Sequence, residues 1–406
     1  MNRLLHGIRV IEAASFIAAP SCALHLAQFG AHVIRIDPIG GGPDFHRWPL
    51  APRGEASLYW EGLNQSKQSI AIDLSNPEGR ALAIEIITAP GKHAGLFVTN
   101  YPADGFLAYA ELKKHRQDLA CVRIMGWADG QTAVDYTVNA AVGVPAMTGP
   151  ADDPRPVNHV LPAWDLLAGA YSAFALVSME LARRQDGQGR EVRIALADIA
   201  MASLGFIGQI GEVQTAGADR VRMGNQLFGA FGRDFETKDG KRFMIVAITS
   251  RQWRGLLAAL NIEKQVSLLE DRLGVRFDQR EGVRFQHRDL LTPLVACAVK
   301  ERSAAEIASA FGARDVCWAP YQSLSEALAS SRFSSEPDPL LSSLEHPSGY
   351  RYLTPGAPAS VVSETRGIPV PAPPLGRDTA KVLSEVLNLS KSEIDALHDK
   401  GVVAST

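Results

Sequence analysis

Cysteine is scarce in this chain of 406 residues: Cys22, Cys121, Cys297 and Cys317 stand far apart. No CxxC pair occurs, and the single CxxH, Cys22–His25, has no second pair of Cys or His ligands to complete it, which gives no ground for a structural zinc site or a dithiol redox motif. Scattered thiols fit a reduced protein of the cytoplasm. HExxH, GxSxG and GKS/T spacings are also missing and the ten histidines are dispersed, so no metal site is expected. Neither sign of charge dominates. Forty-one basic and 44 acidic residues leave a net charge of −3, which argues against a broad electrostatic footprint for nucleic acid. The opening MNRLLHGIRVIE has no sustained apolar stretch and makes a poor signal peptide. The longest apolar run, Leu166–Met179, contains Gly169, Tyr171 and Ser172 and is shorter than the ~20 residues of a membrane span. The expectation is a soluble, cytoplasmic protein of enzyme size, with neither nucleic acid nor membrane as partner.

What the sequence does contain is a globular composition, 46% hydrophobic and 21% charged, enough for a large core. IRVIEAA, HVIRIDP, SIAIDL, AGLFVTNYP and LACVRIMGW read as short buried strands. Between them, APSCALHLAQFGA and NPEGRALAIEIITA read as helices, the second capped by Asn76 with Pro77 at its first position. Strand and helix in alternation predict a mainly parallel, doubly wound α/β sheet. Ligands in such sheets sit outside the carboxyl ends of the strands. Composition then changes. MGNQLFGAFGRDFETKDGKRFMIVAIT reads as strand, turn, strand, and helical segments follow from Arg251 to about Phe311, which together suggest a smaller α+β domain. The Pro-, Ser- and Gly-rich stretch from Arg332 to Gly376 reads as an extended connector. Two amphipathic helices close the chain, with Ser390 as a cap.

One carboxylate stands alone. In HVLPAWDLLAGAYSAFALVSMEL, Asp165 is the only acidic residue between Asp153 and Glu180. It is either a first-turn acid favoured by the helix dipole or a nucleophile that attacks an activated acyl group. An apolar setting would keep water from the resulting anhydride. The glycine loop IGGGPD lacks GxGxxG spacing and reads as a flexible loop. Asp152 and Asp153 read as a solvated turn, and His159 as the polar end of a loop.

Several stretches, in order, resemble the class III CoA-transferases of the CaiB/BaiF type, a family that includes carnitine and formyl/oxalyl CoA-transferases and α-methylacyl-CoA racemases. They are GIRVIEAASFIAAPSCALHLAQFGAHVIRID, QSIAIDLSNPEGRALA, VTNYP, DYTVNAAVGVPAMTG, AWDLLAGAYSAFAL, GQGREVRIALADIAMASL and the closing APPLGRDTAKVLSEVLNLSKSEIDALHDKGVV. The resemblance implies a large α/β domain built from both chain ends (1–215 and 326–406), a small middle domain (216–325), and an interlocked homodimer. It puts the family's nucleophilic aspartate on Asp165. It implies CoA contacts at Ile17, Ala18, Asp37, Pro38, Ile72, Asp73, Leu74, Asn100 and Tyr101, with CoA arriving as part of the substrate and no tightly bound cofactor. Asp135 and Asn139 belong to the stretch facing Asp165, and Arg47 is a candidate partner for a free carboxylate. Val134 stands where the family's racemases carry a histidine, so one base of a two-base proton exchange is missing. RIDPIGGGPDFHRWP, NHVLPAWD, GNQLFGAFGRDFETKDGKRF and WAPY are similar to the intramolecular mesaconyl-CoA transferases of the family. They imply transfer of CoA between the two carboxyl groups of mesaconate. The alternative is intermolecular transfer between two acids.

Overall fold

The computed structural model describes residues 3–54, 56–335 and 338–405; Glu336 and Pro337 of the expected connector lie outside them. The chain forms two compact units. One comprises 1–142, 159–215 and 331–406; the other comprises 143–158 and 216–330. The segment Gly143–Asn158 therefore groups with the middle unit and not with the amino-terminal part, a correction to the division drawn from the sequence. The reason is local. Arg222 donates from Nε to the Ala146 carbonyl (2.7 Å) and Gly224 N–H to the Gly149 carbonyl (3.0 Å), which ties the segment to the start of the middle stretch.

The larger unit is built on a seven-stranded sheet. Its parallel strands are β1 (Arg9–Ala13), β2 (His32–Pro38), β3 (Gln68–Ile72), β4 (Leu96–Thr99), β5 (Ala120–Met125) and β6 (Arg190–Ala195). They lie in the order β3-β2-β1-β4-β5-β6. The sequence pattern anticipated β1 to β5. It missed a seventh, Val403–Ala404, which pairs antiparallel with the free edge of β3. The strands alternate faces as a pleat requires. Ile11, Ile34, Ile36, Ile70, Phe97 and Cys121 pack with the helix Pro77–Thr88 and the two closing helices. Fully burying each such aliphatic side chain contributes roughly 1.5–3 kcal/mol.

The helices α1 (Ala18–Gln28) and Ala163–Asp186 run against each other and against the sheet. The latter, of 24 residues, outruns the apolar stretch at both ends. By length and composition it could cross a membrane, contrary to expectation. Its Ala168, Gly169, Ser172, Leu176 and Met179 are buried. Gly169 marks the closest approach, since a Cβ there would come within 2.0 Å of Ser21 Oγ and 2.8 Å of the Ala18 carbonyl.

The expected connector holds a hairpin, Leu341–Glu345 with Arg351–Pro355. It is pinned by buried Glu61, whose carboxylate accepts from Ser348 N–H (2.7 Å) and Tyr352 Oη (2.7 Å). In the second unit, Phe231–Glu236, Arg242–Ala247 and Cys317–Pro320 form an antiparallel sheet backed by helices. The last of these strands was not anticipated. The four cysteines are free thiols.

Candidate active site

The strand order reverses between β1 and β4, and a ligand site is expected at the carboxyl ends of the two diverging strands. Asn100, just past β4, spans them: its Oδ1 accepts from Ser15 N–H (3.1 Å) and its Nδ2 donates to the Ser15 carbonyl (2.7 Å). Above this bridge lies a cleft of about 630 Å³, a size that suits a small-molecule ligand. Phe16, Ile17, Ala18, Tyr101, Val134 and Asp165 are among the residues that line it.

Asp165 sits in the first turn of the helix Ala163–Asp186, whose cap position, Pro162, offers no side-chain acceptor. The missing cap comes from Asp135 on the short helix Asp135–Ala141. Asp135 Oδ2 accepts from the N–H groups of Trp164 (2.6 Å) and Asp165 (3.1 Å). One turn further along, Asn139 Oδ1 accepts from Trp164 Nε1 (3.1 Å). Both residues are buried. Spaced i, i+4, they share one helix face and hold the start of the long helix from behind.

This arrangement sets the electrostatics. Burial and, next, the Asp135 charge push the Asp165 carboxyl up to about 7, while Arg47 draws it down. The Asp165 carboxylate makes no hydrogen bond to any described residue, and the inner Asp135 Oδ1 is likewise without a partner. A carboxyl that titrates near neutrality and whose oxygens are uncommitted can act as nucleophile or as general base.

Arg47 is held beside the cleft by rings. Its guanidinium lies 5.5 Å from the Phe16 centroid and 5.4 Å from that of Tyr59, within the range of cation–π attraction. Phe16 has φ +66°, left-handed backbone that is strained for an aromatic residue. Its N–H donates to Asp44 Oδ2 (3.1 Å). Asp44 is in turn bound by Arg35 Nη2 (3.1 Å). Arg35, itself buried, also reaches Glu12 (3.0 Å) and Asp37 (2.8 Å), and Lys67 completes the group at Glu12 (2.8 Å).

The residues expected at CoA thus divide. Ile17, Ala18, Asn100 and Tyr101 line the cleft with Asp165. Asp37, Pro38, Ile72, Asp73 and Leu74 do not. They lie at the carboxyl ends of β2 and β3, where Pro38 is in register with Ile72. The Asp37 side chain is committed to Arg35, Ile72 to the core, Asp73 to the N–H and hydroxyl of Ser75 (3.0 and 2.6 Å), and Leu74 to the core edge. Arg47 flanks the cleft, whereas Asp135 and Asn139 lie behind Asp165. The glycine loop is outside the cleft; Gly41 is left-handed (φ +91°), and a Cβ there would strike the Phe45 ring.

Two arginines of the cleft were missed. Arg123 and Arg193 line it and are paired in register on β5 and β6. A charge inside the apolar ACVRIM strand was the available signal, since a buried charge needs a partner. Val134, exposed in the cleft, places no imidazole beside Asp165. Among the described residues no cluster of His, Cys, Asp or Glu is disposed to hold a metal ion.

Residues 5–379 match the model of CoA-transferase family III. The chain is 48% identical to the 2-methylfumaryl-CoA isomerase of Chloroflexus aurantiacus over 405 residues, which is 100% of this chain and 98% of that protein. It is 28% identical to the succinyl-CoA–D-citramalate CoA-transferase of the same organism, over 99% and 98% of the two chains. The crystal structure of a CAIB/BAIF family protein from Brucella suis superposes with a TM-score of 0.76 at 22% identity, covering 95% of this chain and 100% of that one. That last likeness concerns the fold.

Proposed function

Since the chain belongs to CoA-transferase family III, we propose that it moves CoA from one carboxyl group of methylfumarate to the other, using Asp165 as the carrier. The observation that carries this reading is Asp165 itself: a cleft-lining carboxylate at a helix amino terminus, raised toward neutrality and bonded to nothing. The 48% identity to a 2-methylfumaryl-CoA isomerase supports the substrate.

The steps balance as follows. The Asp165 carboxylate attacks the thioester carbonyl, the C–S bond breaks, and CoA leaves as thiolate. The product is a mixed anhydride of Asp165 and the acyl group. Thiolate attack on the aspartyl carbonyl gives an aspartyl-CoA thioester and frees the dicarboxylate. Its other carboxylate attacks that thioester, expelling thiolate and forming a second anhydride. Thiolate attack on the acyl carbonyl then yields the isomeric thioester and restores Asp165. The dipole of the helix terminus favours the oxyanions that form. Arg47 is the candidate partner for the carboxylate not reacting. The acid held beside Asp165 has a high effective concentration over any acid in solution.

The test is to supply one mesaconyl-CoA isomer and no other acid, with isotope-labelled mesaconate in the buffer. Isomerisation with little label in the thioesters is expected. Label entering at a rate near turnover, or dependence on an added acid, moves the reading to intermolecular transfer.

The same reading includes a homodimer in the cytoplasm. On the long helix Leu167, Tyr171, Phe174 and Leu181 follow a helical repeat and are 42–65% exposed, an apolar stripe of the kind that a second subunit covers. Free thiols at the surface, Cys297 and Cys317, fit a reducing compartment. A folded monomer in analytical ultracentrifugation at nanomolar concentration would count against the dimer.

A further inference from the structure

The Arg123–Glu191–Arg193 group in the wall of the cleft has no part in the chemistry above. Arg123 is fully buried. Its Nη1 donates to the carbonyls of Tyr101 (2.7 Å) and Pro102 (2.8 Å), its Nη2 to that of Leu107 (2.7 Å), and its Nε to Glu191 Oε1 (2.8 Å). Both Nη arms of this guanidinium are spent on the loop that forms one wall of the cleft, and Nε is spent on β6. Glu191 Oε2 accepts from Arg193 Nε (2.8 Å). Arg193 lines the cleft, its side chain is half exposed, and neither of its Nη groups donates to any described residue. Asp104 lines the same cleft but forms no ion pair with Arg193 among the described residues. One carboxylate between two guanidiniums leaves the group with one positive charge in excess.

The two arginines play different parts. Arg123 is a strut. Arg193 is aimed by its Nε contact, which fixes the plane of the guanidinium and leaves a pair of N–H donors unspent at the cleft. Such a fork, carried on a strand and not on a loop, is pre-organised for the two oxygens of an anionic group.

We propose that Arg193 is an oxyanion-binding residue of this cleft, pairing either with a phosphate of CoA or with the free carboxylate of the acyl group. The inference rests on the reading of the cleft as an acyl-CoA site. It adds a second cation, on β6, to the one that Arg47 supplies beside Asp165.

Calorimetric titration of wild type, Arg193→Gln and Arg193→Lys tests it without relying on turnover. The ligands are CoA, CoA without its 3′-phosphate, mesaconyl-CoA and crotonyl-CoA, the last having no second carboxylate. Glu191 keeps Arg123 in both variants, and circular dichroism checks that they fold. A roughly tenfold loss of CoA affinity in Arg193→Gln, shrinking for CoA without the 3′-phosphate, assigns that phosphate. A similar loss that persists without the 3′-phosphate assigns the pyrophosphate. A loss confined to mesaconyl-CoA, sparing crotonyl-CoA and free CoA, assigns the carboxylate. Arg193→Lys restores part of the loss in each case, because the charge returns without the fork. If the wild type binds these ligands and Arg193→Gln binds all of them within twofold of it, the proposal is overturned while the function stands. If the wild type binds none of them, the reading of the cleft itself fails.

Discussion

Two groups of carboxylates lie in the same unit, and they are treated in opposite ways. Glu12, Asp37 and Asp44 surround Arg35 and Lys67, and each finds a cation within about 3 Å. Asp135 and Asp165 stand together at a helix terminus, with Arg47 as the cation acting on Asp165, whose oxygens bond to no described residue. The first arrangement fixes a loop: through Asp44 it holds Phe16 in left-handed backbone, and Phe16 lies under Arg47. The second leaves a carboxyl without partners. Paired charge gives position here, and the unpaired carboxyl is the one proposed to carry the chemistry.

The comparison breaks most sharply at Asp165. Asp165→Ala should lower turnover by at least about 1,000-fold, since no neighbouring group can carry the acyl chain. Thermal unfolding and CoA affinity should change little, and hydroxylamine trapping of an acyl-enzyme should vanish. Substantial residual activity, with trace wild type excluded, would sink the mechanism.

On the paired side, Arg35→Met leaves Asp37 and Asp44 buried without their cation. A cost of about 3–5 kcal/mol in denaturant unfolding is expected. A cost within 1 kcal/mol would mean that the network contributes little to stability.

The next effect tests the withheld partners through stability. An ordinary aspartate titrates near 3.8, and Asp165 is raised to about 7 in the folded chain. Below pH 4 both states hold the proton and the group is neutral to stability. As pH rises toward 7 the unfolded chain releases its proton first, so the folded state loses ground, and the loss is complete above 7. Asp165→Asn should therefore match the wild type near pH 4 and exceed it at pH 8, by about 2–4 kcal/mol. Parallel pH profiles for the two proteins would contradict the raised titration.

The smallest effect is expected at Arg47. The wild-type kcat/KM should rise with pH through an apparent pKa near 7 as Asp165 ionises. Arg47→Gln removes the influence that lowers it, so this limb should move to higher pH, by about half a unit to one unit. A limb that stays in place would separate Arg47 from the nucleophile.

The parallel strands were legible because β1 to β5 are short, apolar and bounded by helical periodicity. Asp165 was legible because nothing else acidic lies near it in sequence. Other features were decided at a distance. Val403–Ala404 is a strand only because β3 has a free edge. The hairpin at 341–355 depends on the buried carboxylate of Glu61. Asp37 was assigned to CoA by the family resemblance; that its side chain pairs with Arg35, two residues before it on the same strand, depends on the fold. Asp135 and Asn139 were assigned to the site; that they act on the Ala163–Asp186 helix depends on where two helices meet. Arg193 differs from a surface arginine only by what Glu191 does to it.

Gly169 lies one helical turn beyond Asp165, pressed against Ser21 and the Ala18 carbonyl of the neighbouring helix. The proposed nucleophile is thus mounted on a rod clamped close behind it. A single methyl group at 169 levers that rod away from α1, and Asp165 swings with it. In a selection for activity this glycine would score like a reacting residue although it meets no substrate. Ser21→Ala would not rescue such a chain, because the Ala18 carbonyl still stands 2.8 Å from the added Cβ.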